Sequence, residues 1–334
     1  MRTHGDLAAF DALDFEAAHA RIAGVVDPTP LVPFDAGLPG LEVRLKLENR
    51  QVAGAFKSRG AWNNVQRLTP EQRAAGVTCT SSGNHGRALA WAAQRAGVPA
   101  TIVMPADAYA NKIQACRDHG AEVVLAPDRM AAEATCAELV AAGKVLVHPY
   151  DAEATVEGAG TVGLELADDW PEVEVVVVPV GGGGLAAGTS LALRRRLGDA
   201  VRIHGVEPAG APSMTRGLQD GEPVLLPEID TNIQGLCPPN SGALNIAICA
   251  HTLDGMHVLS DPEIMDAQRV LAAHGETVEP AGAATLALVR SGCLEGRTPE
   301  DPLRVAVVVS GGNPDPAQFE ALLASLAGEA GTGA

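Results

Sequence analysis

Four short stretches carry residues whose types and spacing could do chemistry. In LKLENRQVAGAFKSRGA (45–61), Lys57 follows Phe56 and stands three residues from both Gly54 and Gly60. Among apolar neighbours a lysine ammonium loses hydration, its pKa falls, and the amine becomes a Schiff-base nucleophile. A solvated surface lysine would have the same sequence. In TSSGNHG (80–86), Ser81, Ser82, Asn84 and His85 lie between a strand-like and a helix-like run. Short polar side chains and free N–H groups at a helix start suit a carboxylate, and ordinary capping would use the same residue types. In VVVVPVGGGGLAAG (175–188), a valine run enters four glycines, Gly181 to Gly184, and then a helix beginning near Leu185. Glycines turn backbone N–H groups toward an anion and the helix start adds partial positive charge, which makes a phosphate cradle. No Lys-Ser/Thr follows, so this is not a Walker loop. Gly181, Gly183 and Ala186 also fit GxGxxA, with Glu207 ending the next strand, so a dinucleotide fold competes. In VAVVVSGGNPD (305–315), Ser310 ends an apolar strand just before two glycines.

The elements that must position these groups alternate. Val77–Thr80, Ala100–Met104, Glu122–Leu125 and Val145–His148 read as strands. Arg87–Ala96, Ala110–His119 and Met130–Ala142 read as the helices between them, each stopped by a glycine. That is a parallel sheet with helical crossovers. A second set follows: helix Thr161–Asp168, strand Val173–Val180, helix 185–197, strand Val201–Val206, helices Asp261–His274 and Ala281–Ser291, strand Leu303–Val309 and helix Pro316–Ala327. The all-valine strand predicts burial on both faces. Residues 207–258 have weak periodicity, and Gly328–Ala334 reads as a frayed end. If Leu41–Leu47 joins the larger sheet, the first unit is inserted in the second. In a parallel sheet ligands sit at the carboxyl ends of strands, where Ser82, Gly181 and Ser310 are all expected.

Composition narrows the class. The chain has 334 residues, 46% hydrophobic and 19% charged, which is enough for a large α/β core and too apolar for disorder. A net charge of −17 disfavours a phosphate-neutralising surface, and 3% aromatics disfavours base stacking, so no nucleic-acid partner is expected. Six scattered cysteines without CxxC read as reduced thiols, and nine histidines without HExxH spacing predict no zinc site. No run approaches 18 apolar residues and the first 16 residues lack a signal-peptide core, so a cytoplasmic enzyme with no membrane partner is expected.

Taken in order, AFKSRGA, SSGNHG, VGGGGL, EPAGA and SGGN resemble the fold type II pyridoxal-phosphate enzymes, in the threonine/serine dehydratase and serine racemase branch, from about Thr29 to Asp315. A dinucleotide reading leaves Lys57 and the SSGNHG loop unexplained. The resemblance implies an α/β fold of two doubly wound domains, of the tryptophan synthase beta-like type. A small mobile domain (64–148) is inserted in a large one (1–63 and 149–334). It implies pyridoxal 5′-phosphate held on Lys57, with Phe56 beside it, Gly181, Gly182, Gly183, Gly184 and Leu185 around the phosphate, Asn84 on the 3′-oxygen, Gly235 along the ring face and Ser310 at the pyridine nitrogen. Ser81, Ser82, Asn84 and His85 would close on the substrate carboxylate. Ser82 would stand on the ring face opposite Lys57, which permits racemisation as a side activity. Glu207, Ala211 and Ser213 fall where the family can hold a monovalent or divalent cation; with Ser213 in place of a second acid, a divalent ion is disfavoured, and a monovalent ion, an empty site or a plain strand-end acid at Glu207 are the readings left open. Glu279 is assigned no chemistry, and Arg129 reads as a surface helix charge, with an approach to the substrate carboxylate as its alternative. The implied reaction is α,β-elimination from a small L-β-hydroxy amino acid, giving a 2-oxo acid and ammonia. The alternatives are a serine racemase, or a dehydratase of 3-hydroxyaspartate or another 3-hydroxy amino acid. A homodimer is expected, and a feedback domain is not, because the chain ends soon after Asp315.

Overall fold

The computed structural model describes residues 7–332; residues 1–6 and 333–334, which carry parts of the readings made for the two termini, lie outside the described residues. The chain opens with α1 (Phe15–Ile22), β1 (Leu31–Phe34) and β2 (Leu41–Lys46), and α2 (Lys57–Gln66) and α3 (Pro70–Ala75) follow. Then come β3 (Val77–Thr80), α4 (Asn84–Ala96), β4 (Ala100–Pro105), α5 (Ala110–Asp118), β5 (Glu122–Ala126), α6 (Arg129–Ala141) and β6 (Val145–Leu146). The rest is α7 (Glu153–Asp169), β7 (Val175–Pro179), α8 (Gly184–Leu197), β8 (Arg202–Pro208), α9 (Ser213–Asp220), α10 (Ala243–Thr252), β9 (Gly255–Leu259), α11 (Asp261–Ala273), α12 (Pro280–Arg290), β10 (Leu303–Val308) and α13 (Pro316–Thr332). No helix among the described residues is long and apolar enough to cross a membrane.

Two sheets result. One has the order β1-β2-β10-β7-β8-β9, parallel except for the β1–β2 pair; the other, β5-β4-β3-β6, is parallel throughout. The chain leaves the larger sheet after β2, builds the smaller one, and returns at β7, so the smaller sheet is inserted as the sequence predicts. β7 shows why its valines are needed on both sides. Val176 and Val178 pack with Val162 of α7 and Leu191 of α8, while Val175 and Val177 pack with Ile264 of α11 and Leu286 of α12. Two-sided burial selects apolar β-branched residues at every position rather than at alternate ones.

Several boundaries differ from the sequence reading. α7 begins at Glu153, not Thr161, although its first half carries Gly158 and Gly160. These glycines permit close approach rather than breaking the helix. A Cβ on Gly158 would lie 2.6 Å from Arg59 O and Gly60 Cα, and one on Gly160 would lie 2.9 Å from Gly188 O. α2 and α8 therefore seat against α7 at backbone distance. α4 begins at Asn84 rather than Arg87, which puts Asn84 and His85 in its first turn and Ser81 and Ser82 just before its N-cap, Gly83. The stretch 207–258 contains α9, α10 and β9, whose pattern was too weak to read, and α13 continues to Thr332 instead of fraying at 328. β6 is only Val145–Leu146.

Candidate active site

The carboxyl ends of β3, β7 and β10 open onto one cavity of about 510 Å³. Every cofactor- and substrate-site residue expected from sequence lines it: Phe56, Lys57, Ser81, Ser82, Asn84, His85, Gly181 to Gly184, Leu185, Gly235 and Ser310. The lysine segment is tied to the end of β10. Ala55 bridges Gly311, and the Phe56 N–H donates to Ser310 O at 3.1 Å. Lys57 therefore starts α2 beside the strand end that carries Ser310. Its Nζ donates to Pro149 O at 2.6 Å and stands 4.9 Å from the centre of the Phe56 ring. Desolvation lowers its pKa to about 8, so about a tenth of the amine is uncharged at pH 7, far more than for a solvated lysine.

The glycine loop is held from behind. Gly181 O accepts from Ser241 Oγ at 3.1 Å, and Gly182 O accepts from Asn245 Nδ2 at 2.8 Å and from the Gly242 N–H at 3.1 Å. With the carbonyls turned back, the first-turn N–H groups of α8, which have no intrahelical acceptor, are left for an anion. Glycine is required here. Gly183 has φ +93°, and a Cβ on Gly182 would lie 2.2 Å from the Tyr150 ring. At Gly235, φ +99°, an added Cβ would meet only Ala281 at 3.2 Å and Glu279 at 3.9 Å among the described residues.

On the opposite wall, His85 Nε2 faces Val147 O at 2.8 Å. A carbonyl can only accept, so Nε2 carries the proton and Nδ1 is bare. Burial and the nearby Lys57 push its pKa down to about 3, and the ring is neutral; Nδ1 is buried without a partner among the described residues. Ser82 is exposed at the rim, whereas Ser310 is buried.

Sequence reasoning gave no role to Tyr150 or Glu279 and left Arg129 between a surface charge and a substrate contact. Tyr150 packs on Gly182 and donates its hydroxyl to Asn240 O at 3.2 Å. Arg129, expected on a solvated face, does have an exposed side chain, yet it also lines the cavity. Glu279 is a buried carboxyl in the wall, pushed up to about 7 by desolvation, and accepts from Asn84 Nδ2 at 2.5 Å. The unusual tetraglycine was a signal for a bulky neighbour such as Tyr150; the bond between Glu279 and Asn84 left no local signal.

The cation candidates lie apart from this cavity wall. The Glu207 carboxylate accepts the N–H groups of Met214 at 3.0 Å and Thr215 at 2.8 Å, which caps α9. Ala211 O accepts from the Ser213 N–H at 2.9 Å, and Ser213 Oγ pairs with Ser241 Oγ at 2.9 Å. Burial pushes Glu207 up to about 7. Among the described residues no group of three or more His, Cys, Asp and Glu side chains could hold a metal ion.

Comparison with known proteins agrees with this geometry. The chain is 38% identical over 304 residues to a phenylserine dehydratase of Ralstonia pickettii, covering 90% of both chains. It is 38% identical over 308 residues to an L-threonine ammonia-lyase of Thermotoga maritima, covering 90% of this chain and 75% of that one. The solved structure of maize serine racemase superposes with a TM-score of 0.86 at 32% identity, covering 94% of this chain and 97% of that one. The model of a family described as "pyridoxal-phosphate dependent enzyme" matches residues 22–311, a span that runs from α1 through the Ser310 strand end, and the chain belongs to that family.

Proposed function

We propose that this enzyme is an ammonia-lyase of the threonine/serine dehydratase type, which eliminates the β-hydroxyl of a small L-β-hydroxy amino acid and yields a 2-oxo acid and ammonia. One observation carries the reading: a desolvated lysine amine and a glycine-built anion cradle share one cavity with a serine, not a carboxylate, at the end of β10.

The residues fit pyridoxal phosphate. Lys57 offers an uncharged amine for the aldehyde, and the α8 N-terminus offers donors for the phosphate. Asn84 would hold the 3′-oxygen and Ser310 the ring nitrogen. The open face of Gly235, where a side chain would intrude, leaves room for a flat ring. When bound, the cofactor supplies the electron sink that makes an amino acid's Cα proton removable. Lys57 Nζ would be the base for this proton, and its desolvation would keep part of the amine uncharged near neutral pH. The Ser81–His85 segment, at the first turn of α4, offers N–H and hydroxyl donors to the substrate carboxylate. A neutral His85 adds no second positive charge there. Ser310 presents a hydroxyl that cannot keep a proton on a pyridine nitrogen as a carboxylate would, which favours prompt loss of the β-hydroxyl over transamination.

A second reading, racemisation, rests on Ser82, whose side chain lines the same cavity as Lys57. Tyr109 and Arg129 also stand in the cavity wall, and one relative is a phenylserine dehydratase. Bulkier or acidic 3-hydroxy amino acids therefore belong in the assay. The proposal extends to the domain division, 64–148 against 1–63 with 149–334, supported by the two sheets, and to a cytoplasmic homodimer.

The test is 2-oxo acid release from L-Thr, L-Ser, D-Ser, L-threo-3-phenylserine and both 3-hydroxyaspartate diastereomers, with chiral analysis of the unreacted amino acid. Borohydride reduction should leave the cofactor on the Lys57 peptide. Absence of that adduct, or of any 2-oxo acid, overturns the lyase reading. D-serine from L-Ser that disappears in Ser82→Ala supports the racemase branch.

A further inference from the structure

Asn313, the last residue of the SGGN motif, has no assigned role, yet it joins groups from both sheets. Arg87 Nη1 donates to Asn313 Oδ1 at 2.5 Å. Asn313 Nδ2 donates to Asn84 Oδ1 at 2.8 Å and to Ala53 O at 3.0 Å. Asn84 Nδ2 donates to Glu279 Oε1 at 2.5 Å. The direction of this chain of bonds is fixed at its ends. A guanidinium has only donors, so Asn313 must turn its oxygen toward Arg87. Its nitrogen then meets Asn84, whose oxygen must face it, and the Asn84 nitrogen is left toward Glu279. A carboxyl group in either protonation state keeps an oxygen that accepts there. Asn84 and Glu279 line the cavity, whereas Asn313 does not, so the nitrogen of Asn84 is on the cavity side.

The backbone is shaped around this arrangement. Ala53 is the only non-glycine residue with positive φ among the described residues, at +56°, and its carbonyl takes the second Asn313 hydrogen. Such a conformation persists only where its surroundings hold it. A Cβ on Gly54 (φ +75°) would lie 2.3 Å from Asn313 Oδ1, and one on Gly311 would lie 2.1 Å from Glu279 Oε1. Lys112 Nζ, from α5, also fixes Asn313 by donating to its main-chain oxygen at 2.7 Å.

We infer that Arg87, Asn313 and Glu279 form a one-directional hydrogen-bond relay that holds the Asn84 amide nitrogen toward the cavity, making them positioning residues for the cofactor's 3′-oxygen contact. This rests on the proposed role of Asn84. Because Arg87 and Asn84 belong to α4 of the smaller sheet, while Ala53, Glu279 and Asn313 belong to segments of the larger one, the grip on the cofactor also depends on how the two sheets meet.

The test compares wild type, Asn313→Asp, Asn313→Ala and the double variant Asn313→Asp/Glu279→Gln as purified holoenzymes. The readouts are cofactor release into cofactor-free buffer, the absorption band of bound cofactor, and the thermal midpoint. Aspartate is isosteric but can only accept, so it forces Asn84 to turn over. Asn313→Asp should release cofactor about tenfold faster than wild type, the scale of one net hydrogen bond, with a shifted band, and faster than Asn313→Ala. A packing role would rank the isosteric Asp above Ala. The double variant restores bonding with reversed direction. It should regain part of the thermal midpoint, the Ala53 bond staying broken, and none of the cofactor retention. Wild-type release and spectrum in Asn313→Asp, or recovered retention in the double variant, overturns the relay. Should Asn313→Asp fail to fold, Arg87→Met frees Asn313 to turn and should speed release likewise; unchanged release overturns the relay. A borohydride adduct on Lys57 in wild type separates these outcomes from failure of the functional reading itself, which would take the relay with it.

Discussion

Arg59, two residues after the site lysine, is the largest fully buried side chain among the described residues, and replacing it by methionine should destabilise the protein severely. Its guanidinium donates to Glu48 Oε2 and Oε1, both at 2.8 Å, to Glu165 Oε1 at 2.5 Å and Oε2 at 2.9 Å, and to Thr161 Oγ1 at 3.0 Å. Lys46 Nζ joins the cluster at 2.6 Å from Glu165 Oε2, so two cations face two carboxylates with almost no water. Methionine keeps the volume and removes one charge, which leaves a buried carboxylate uncompensated. Breaking such a pair from one side costs ~3–5 kcal/mol. At ~2.1 cal/mol/K of unfolding entropy per residue, 334 residues give ~0.7 kcal/mol/K, so ~4 kcal/mol lowers Tm by about 6 °C. The pH dependence checks the cause. In wild type, Arg59 and Lys46 hold Glu165 below its ordinary pKa despite burial, so that stability is present above about pH 4.5 and is lost as pH falls through the depressed value. In Arg59→Met, burial acts with less opposition and raises the carboxyl pKa. The folded state then binds protons more readily than the unfolded one, and the deficit shrinks as pH falls from 8 toward 5. The assay is thermal unfolding of wild type, Arg59→Met and Arg59→Lys at both pH values. Lysine should not rescue, because a compact ammonium cannot bridge two carboxylates at once. A Tm loss under 2 °C at pH 8, a deficit that grows toward pH 5, or full rescue by lysine would refute the reasoning.

Four further outcomes follow from the site and its supports. In cofactor-free protein, the rate of capture of pyridoxal phosphate should rise with pH through about 8, the Lys57 value, and level off above it; a rate that climbs only near 10.5 would show a solvated amine. Because that value lies below the unfolded one, the unfolded chain binds more protons between about pH 8 and 10.5, and this group's contribution to apo-protein stability should rise with pH across that window in denaturant titrations. Gly158→Ala puts a methyl 2.6 Å from Arg59 O and Gly60 Cα, both backbone, so α2 and α7 must separate at a cost of ~1–3 kcal/mol; an unchanged Tm would mean the helices are not in backbone contact. Gly182→Ala drives a methyl to 2.2 Å from the Tyr150 ring and should weaken cofactor retention more than it lowers apo-protein Tm, and the reverse ranking would place the loop in stability rather than binding.

What was legible in the sequence depended on whether a residue's neighbours in space were also its neighbours in the chain. β7 was readable because burial on both faces demands valine at each position, and the parallel crossovers were readable because each helix ended on a glycine. Lys57 with Phe56, and the tetraglycine before α8, carried their chemistry within a few residues, and the strand-end rule brought Ser82, Gly181 and Ser310 together before any coordinate did. The start of α7 was hidden because its glycines answer to α2 and α8, which no local pattern announces. α9, α10 and β9 were hidden in a stretch rich in Pro and Gly, where loop and element share a composition. The bonding roles of Glu279 and Asn313, although both residues lie in the motifs EPAGA and SGGN, were invisible for a stronger reason. Their bonds to Asn84 and Arg87 span 195, 229 and 226 residues, and each residue type is ordinary where it stands. A group that acts by its own reactivity leaves a mark in its immediate sequence, since its surroundings must tune it. A group that acts by holding another's orientation needs only a donor or acceptor at one point in space, and that point exists only once both sheets are assembled. The relay positions are therefore the ones where an isosteric exchange such as Asn to Asp, mild by every sequence measure, should be among the most damaging to cofactor binding.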